Sequence, residues 1–463
     1  MAYRCLQEFL ARLEEMGELC RVKVEVDPLL EISEITDRVC KSPHGGKALL
    51  FERVRGSAFP VATNLFGSYR RVCAALEISE LGLLSRTMEE LLPQQPASHG
   101  EMEDLLDTAF SGFFPLLTET GDCQEVADHD PDLGQYPFLK SWPGDAGRFI
   151  TLPLVFTRDP ETGAQNCGMY RIRIFDAKSA GVHWSAGSGG AVHYGKYRSL
   201  GKERMPIAIA LGGDPALTWS ASLPLPGTVD EMAFAGYMRK EPVAMVRTLT
   251  AGIMVPAGAE MVIEGYLEPG EMREEGAFGN HTGHYTTAGE VPVVHVTCIT
   301  RRSGMIYPAT VVGRPPMEDC YMAKAAERLF LPLSRRQAPA VVDINLPMEG
   351  IFHGCAVVSI RKERAGQGME VMRELWRTGW LRKAKMLVVV DADVPVDDLS
   401  LVGWKVVNNA EWPRNLLVAD GRMGVDATCK LAEETCGVPH REISRDAFIS
   451  DLVERKWREY GCA

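Results

Sequence analysis

Three stretches of different periodicity predict an α/β (α+β) chain, with an α/β domain at each end and a β-rich domain between them. The first stretch interleaves helical spacing with short alternating strands. The middle, from residue 133 to residue 310, is rich in glycine and in strands joined by turns, which favours a closed or split barrel over a doubly wound sheet. After Gly313-Arg314-Pro315-Pro316 an order of strand, helix, strand returns.

Bulk properties bound the function before any motif is read. With 463 residues and 46% hydrophobic content, the chain can bury cores for roughly two to four domains. A net charge of -12 and a pI near 5.5 argue against nucleic acid as a partner, which needs a basic face. No apolar run reaches the ~20 residues that cross a bilayer, so no membrane role is expected. Residues 1–8 have neither the apolar core nor the small-residue cleavage site of a secretory signal. The twelve cysteines stand singly, with no Cys-x-x-Cys pair, as expected of reduced thiols in a cytoplasm.

Taken in order, Leu6, Phe9, Leu10, Leu13 and Met16 recur at helical spacing, and Gly17 closes that helix. Val22, Val24 and Val26 alternate as a strand stopped by Asp27-Pro28. Ile32, Ile35 and Val39 predict a second helix, and 48–51 and 61–63 further strands. Gln94-Gln95-Pro96-Ala97-Ser98-His99-Gly100 has the composition of a linker. In the middle, strands are expected over 152–157, 170–175, 207–211, 261–267 and 293–300, with a short helix over 230–239. The last third predicts a helix over 321–330, strands over 340–344 and 356–360, a helix over 368–381, and a strand over 386–390.

Glu274-Glu275-Gly276-Ala277-Phe278-Gly279-Asn280-His281-Thr282-Gly283-His284 gathers carboxylates, an amide and two imidazoles on an expected glycine-bearing loop. Loops on a rigid sheet are where catalytic groups tend to be displayed. The strand before it reads as half-buried, with Met261, Ile263 and Leu267 on one face and Glu260 and Glu264 on the other. From this segment alone, a polar excursion with solvated charges is the plainer reading. His281 and His284 lack the spacing and the third ligand of a zinc site. Gly190-Ala191-Val192-His193-Tyr194-Gly195-Lys196-Tyr197 falls short of a nucleotide phosphate loop, because Tyr197 stands where Mg²⁺ needs a hydroxyl from Ser or Thr. Gly187-Ser188-Gly189-Gly190 can still offer backbone N–H groups to a phosphate. No Gly-x-Ser-x-Gly elbow and no Gly-x-Gly-x-x-Gly after a strand supports a hydrolase triad or a nicotinamide site. Asn166-Cys167-Gly168-Met169-Tyr170-Arg171 joins a hard oxygen ligand to an arginine able to grip a carboxylate, yet alone it reads as a turn and a surface residue.

Three stretches together change that balance. Residues 166–171, Glu231 within Asp230-Glu231-Met232-Ala233-Phe234-Ala235-Gly236, and residues 275–280 resemble the UbiD family of prenylated-FMN-dependent reversible decarboxylases, of the 3-polyprenyl-4-hydroxybenzoate decarboxylase type. The segments 17–28, 62–68, 313–319, 346–350 and 423–428 continue the resemblance in order over nearly the whole chain. It implies an N-terminal α/β domain (1–115), a central split β-barrel of flavin-reductase type holding cofactor and metal (116–312), and a C-terminal α/β oligomerisation domain (313–463). It also implies a homodimer or homohexamer, and a flavin prenyltransferase as supplier of the cofactor.

By the same resemblance, Asn166 and Glu231 hold a Mn²⁺ that clamps the flavin phosphate, with K⁺ nearby. A divalent ion with oxygen ligands offsets phosphate charge that is costly to bury. The histidine ligand usual in the family is missing from 187–190, and His193 is out of register with it. Met169, Tyr170, Arg171, His183, Trp184, Ser185, Ser188, Gly189 and Lys385 match positions that contact the cofactor. Arg171 and Glu275 match two of the family's catalytic trio, and Asn280 stands where the third member is an acid. An amide does not ionise usefully, and a general acid supplies ~10²–10⁴-fold in rate. Glu275, His281, His284, a water or a phenolic substrate would then have to carry the proton. The expectation is non-oxidative, reversible decarboxylation of a hydroxylated aromatic or heteroaromatic acid. The alternative is a flavin-binding subunit whose catalysis is lost or resides in a partner.

Overall fold

A computed structural model describes residues 3–92, 106, 108–227, 229–377, 379–435, 437 and 442–461. The stretch expected to be a linker, 94–100, lies outside the described residues. The chain divides into two compact units, residues 1–336 with 346–352, and residues 337–345 with 353–463.

In the first unit, helix α1 (Leu6–Glu15) buries Leu6, Phe9, Leu10 and Leu13. Strand β1 (Leu19–Val26) pairs in parallel with β2 (Ala48–Val54), and α2 (Glu31–Cys40) makes the crossover that parallel strands require. Strand β3 (Val61–Thr63) adds antiparallel to β2, and helices α3 (Tyr69–Ala75) and α4 (Gly82–Leu91) follow. The helices and strands expected over residues 6–63 are all present.

The middle of the chain supplies β4 (Leu116–Thr118), β5 (Val126–Asp128), β6 (Phe149–Ile150), β7 (Pro153–Arg158), β8 (Gln165–Gly168), β9 (Ile172–Ile174) and β10 (Ser179–Val182). Helix α5 (Gly189–Ser199), β11 (Met205–Leu211), α6 (Pro215–Ala221), α7 (Glu231–Arg239), β12 (Ala244–Arg247) and β13 (Met254–Pro256) come next. Two long strands, β14 (Met261–Gly279) and β15 (Tyr285–Arg301), precede the short β16 (Tyr307–Pro308), which pairs with β3. Eight of these strands run β6-β9-β10-β15-β14-β11-β7-β8, with β5 joined to β15, in a nine-stranded sheet; β13-β12-β4 form a small separate one. The two ends, β6 and β8, do not pair with each other among the described residues, so of the two barrels expected, closed or split, the sheet is not the closed one.

Two expectations fail here. The side-chain pattern reads 268–279 as loop, yet β14 and β15 pair out to Gly279 and Tyr285, so Glu275 sits on a strand. Glutamates and glycines break the alternation, while the backbone ladder, which any residue can make, continues past a bulge between Leu267 and Met272. The strand is also not half-buried. Met261, Ile263 and Leu267 enter one core together with Ile207, Ile209 and Leu211 of β11, and with Val26, Ile32, Phe51 and Val61 of the N-terminal layer. Val262 enters a second core with Leu154, Phe156, Ala208 and Ala210, against Met232 and Ala235 of α7. The N-terminal layer and the large sheet thus share one core within one unit. Glu264, expected to face solvent, is 0% exposed; its carboxylate accepts hydrogen bonds from the backbone N–H groups of Leu249, Thr250 and Ala251 and from the Thr250 hydroxyl.

Helix α8 (Glu318–Gln337) is longer than the expected 321–330. The second unit stacks β17 (Val341–Asn345), β18 (Cys355–Ile360), β19 (Met386–Asp391), β20 (Leu416–Ala419) and β21 (Arg422–Asp426) in the order β17-β18-β19-β21-β20. Helices α9 (Gln367–Arg377), α10 (Leu399–Asn409) and α11 (Ala447–Arg455) complete it. Among the described residues no helix is long and apolar enough to cross a membrane, and the ten cysteines among them are free.

The buried Glu264 gives the first prediction. Glu264→Leu leaves the N–H groups of residues 249–251 without their acceptor and should cost about 2–3 kcal/mol, read as a drop in Tm. An unchanged melting curve would mean that the carboxylate does not hold this loop.

Candidate active site

The site grows out of sheet register. Strands β9 and β10 pair Ile174 with Ala180, Arg173 with Gly181 and Ile172 with Val182. The next pair in that register is Arg171 with His183, and the His183 N–H donates to the Arg171 carbonyl at 3.1 Å. Cross-strand partners project on the same face, so guanidinium and imidazole meet. Glu275 reaches them from β14. The following Gly276 has φ +77, and a Cβ there would lie 2.4 Å from the Cβ of Ala146, so only glycine lets the strand pass so close.

Arg171 Nε donates to Glu275 Oε1 at 2.6 Å and Nη2 to Oε2 at 2.6 Å, a two-pronged ion pair. The carboxylate side chain is 0% exposed and the guanidinium 17%. Burial pushes the Glu275 pKa up, but hydrogen bonds from His183 and Arg171 outweigh it and hold the carboxyl below its ordinary value. The Arg171 guanidinium also lies 4.9 Å from the ring centroid of Phe278, which packs on Phe149 at 4.6 Å. Nη1 makes no hydrogen bond among the described residues. His183 Nδ1 sits 2.9 Å from both Arg171 Nη2 and Glu275 Oε2. A single ring nitrogen cannot accept from the first and donate to the second at once.

A second cluster lies five residues upstream. Asn166, on β8, donates from Nδ2 to Glu231 Oε1 at 2.5 Å, and the Cys167 N–H donates to Glu231 Oε2 at 3.0 Å. Glu231 opens α7, behind an Asp230 cap that accepts from the N–H groups of Met232 and Ala233. Burial, with no cation beside it, pushes Glu231 up to about 7. The stretch 187–190, expected to be a plain turn or phosphate loop, leads into the start of α5, with Ser188 as its cap. A Cβ on Gly189 would stand 2.4 Å from the Asn166 carboxamide, and one on Gly190 2.3 Å from the Trp184 ring. A helix N-terminus free of side chains therefore points at Asn166, the arrangement that receives phosphates. Tyr170 stacks edge-on against Trp184 at 5.3 Å, with its hydroxyl 3.5 Å from Asn166 Oδ1. Trp184 Nε1 is buried without an acceptor, a donor that a ligand oxygen would satisfy.

The remaining expected residues are placed as follows. Met169 donates its N–H to the Ala221 carbonyl, and Ser185 is exposed. Asn280 is at the hairpin tip, where its Oδ1 accepts from the Thr282 N–H at 2.8 Å and from the Thr282 hydroxyl at 2.5 Å; it makes no described contact with Arg171 or Glu275. His281 packs on Phe352 at 5.1 Å, and the His284 N–H donates to Thr282 Oγ1. His193 bonds the Thr157 hydroxyl at 2.8 Å, and burial lowers its pKa. Lys385 belongs to the second unit, exposed, one residue before β19. Among the described residues no three of His, Cys, Asp and Glu gather as a metal site. Sequence reasoning does not find Asp145, whose carboxylate accepts from the N–H groups of Ser141, Trp142 and Gly279 and ties the hairpin tip down. An isolated aspartate after Pro143-Gly144 carries no signal of that role. For His183 the sequence indicates a cofactor contact only, because its pairing with Glu275 needs the register.

Residues 10–91 match the N-terminal domain, 116–315 the Rift-related domain and 320–430 the C-terminal domain of 3-octaprenyl-4-hydroxybenzoate carboxy-lyase (UbiD). An uncharacterised protein of Archaeoglobus fulgidus is 44% identical over 99% of both chains, and one of Aquifex aeolicus 42% over 93% of both. Among solved structures, an evolved dimeric form of the UbiD-class enzyme HmfF from Pelotomaculum thermopropionicum, in complex with prFMN, is 27% identical with a TM-score of 0.81, covering 96% of this chain and 98% of that one. The vanillic acid decarboxylase of Sedimentibacter hydroxybenzoicus in closed form is 25% identical with a TM-score of 0.86 over 100% of both chains.

The lowered pKa of Glu275 makes its ion pair a pH-dependent source of stability. Its contribution is full above the ordinary carboxylate value of 4.5 and is lost as pH falls through the lowered folded value. The stability gap between wild type and Glu275→Gln should therefore be widest near neutral pH and should close under acid, measured by denaturant unfolding at several pH values. A gap that is constant with pH would contradict the assignment.

Proposed function

The chain belongs to the UbiD family of carboxy-lyases, and we propose that it decarboxylates, reversibly and without oxidation, a hydroxylated aromatic or heteroaromatic acid with prenylated FMN. The observation that carries this reading is the span from Asn166 to Arg171. Its first residue touches Glu231 beside a side-chain-free helix N-terminus, and its last is paired to Glu275. A phosphate-holding end and a carboxylate-holding end are thus joined by five residues of chain.

In this reading Ser188 and Gly189 at the start of α5 would hold the flavin phosphate, and Trp184 Nε1 would find its acceptor on the cofactor. Met169, Tyr170, His183, Ser185 and Lys385 belong to the cofactor contacts. The oxygens of Asn166 and Glu231 are hard donors that would hold Mn²⁺, with K⁺ nearby, once the Asn166 amide turns. When bound, the modified flavin supplies an electron sink for the charge released as CO₂ departs. Arg171 offers Nη1 to the substrate carboxylate, while Glu275 fixes the guanidinium plane and supplies a proton-carrying carboxyl. Asn280 shapes the hairpin tip, and a phenolic substrate hydroxyl helps accept charge. We place the protein in the cytoplasm as a homodimer or homohexamer assembled through residues 313–463, with residues 1–115 and 116–312 as the other domains and a flavin prenyltransferase as supplier.

Protein co-expressed with a flavin prenyltransferase should retain a flavin of prenylated mass and release CO₂ from such an acid, with solvent deuterium entering the product. Arg171→Ala and Glu275→Gln should each lower the rate at least ~10²-fold while the flavin stays bound. Gly189→Val should empty the protein of flavin, read by absorbance after purification. Flavin retention without CO₂ release from any acid would favour the second reading, a flavin-binding subunit with its catalysis lost or in a partner.

A further inference from the structure

Asn280 leaves the site short of one ionisable group, and the geometry points to where it is made up. We propose that His183 is the relay that returns a proton to Glu275 in each turnover, the task that an acid at position 280 would otherwise share. The proposal rests on the decarboxylase reading and deepens it.

The argument begins with position. His183 Nδ1 is 2.9 Å from Glu275 Oε2, and no other imidazole contacts the Arg171–Glu275 pair among the described hydrogen bonds. The His281 ring packs on Phe352 at the hairpin tip, where the exposed His284 also lies, and His193 is bound to Thr157. The charged groups that contact His183 are Arg171, its partner across the sheet, and Glu275 from β14. The His183 side chain is 34% exposed, against 0% for Glu275. Glu275 thus has no route to solvent protons of its own, and the partly exposed imidazole hydrogen-bonded to it has such a route.

The proton count closes. The imidazolium gives its Nδ1 proton to Glu275 Oε2, leaving a neutral ring and a neutral carboxyl. As the bond to the carboxylate carbon breaks, its electron pair stays on the substrate carbon and takes the Glu275 proton, and CO₂ leaves. Once Glu275 is again a carboxylate holding both guanidinium prongs, Arg171 Nη2 releases His183 Nδ1, the one basic nitrogen of the neutral ring, and that nitrogen takes the next proton from solvent. One solvent proton is consumed for each CO₂ released. While Glu275 is protonated it grips Arg171 less tightly, and the acceptor offered by His183 Nδ1 keeps the guanidinium in place.

The test uses the flavin-loaded full chain and the flavin-free protein side by side. His183→Asn keeps an amide near the Nδ1 position but cannot ionise. Its kcat should fall ~10²–10⁴-fold with KM changed much less, and its rate should lose the decline that wild type shows as pH rises through the imidazole's ionisation. Imidazole added to His183→Ala should restore rate in proportion to imidazolium, which a packing role would not do. Independently of turnover, ¹⁵N-histidine spectra of the flavin-free protein, assigned by the loss of one ring in His183→Asn, should show a protonated Nδ1 at acid pH that shifts when Glu275→Gln is introduced. Wild-type CO₂ release together with an undiminished His183→Asn of unchanged pH profile would overturn the relay and leave the decarboxylase reading standing. An Nδ1 that stays unprotonated over about pH 5–8 would do the same. No CO₂ release from wild type with any acid would instead remove the reading beneath it.

Discussion

A carboxylate with no exposed surface cannot be left without partners, and Glu275 is such a group. Its two oxygens are held by Arg171 through both prongs of the guanidinium, with His183 alongside. Removing water from an ion pair costs several kcal/mol per charge, so geometry of this quality has to be imposed by the scaffold. The scaffold does so through register: β9 against β10 sets Arg171 opposite His183, and β14 against β15 carries Glu275 to the same place. A slip of one residue in either ladder would turn one of these side chains to the other face.

The long hairpin can hold that position because its base is packed on both sides. Met261, Ile263 and Leu267 share a core with the N-terminal layer, and Val262 shares another with α7. Glu264, inside the same base, is satisfied entirely by a neighbouring loop, so even the charge there serves to fix backbone. At the far end Asp145 gathers three N–H groups, one of them from Gly279, and Asn280 closes the turn through Thr282. The hairpin is therefore anchored at base and tip, with the ion pair between the anchors.

This view gives Asn280 a local role. Its carboxamide oxygen is consumed by Thr282, which suits a turn. The same tip holds His281, whose ring packs on Phe352, and His284, whose backbone N–H donates to Thr282, whereas the imidazole that does reach Glu275 comes from the end of another strand. Chemistry that looks concentrated in one segment of sequence is divided among four strands and the starts of two helices.

Much is legible beforehand. Helical spacing in 6–16 and 31–40 and the apolar runs of β7, β11 and β19 report burial directly, because a buried face needs apolar residues at its period, whereas the alternation in 19–26 marks a strand of which only Val26 is buried. The motifs around Asn166, Glu231 and Glu275, with the ordered segments along the rest of the chain, are enough to indicate the family. What the sequence could not determine was long-range pairing. The extent of β14 is hidden by its charges and glycines, because ladder hydrogen bonds are made by backbone and leave no mark on side-chain pattern. The open sheet, the second core over Val262 and the meeting of His183 with Glu275 depend on which strands lie side by side. That choice is made by packing between residues far apart in the chain, and it is the part of this protein that only the tertiary structure decided.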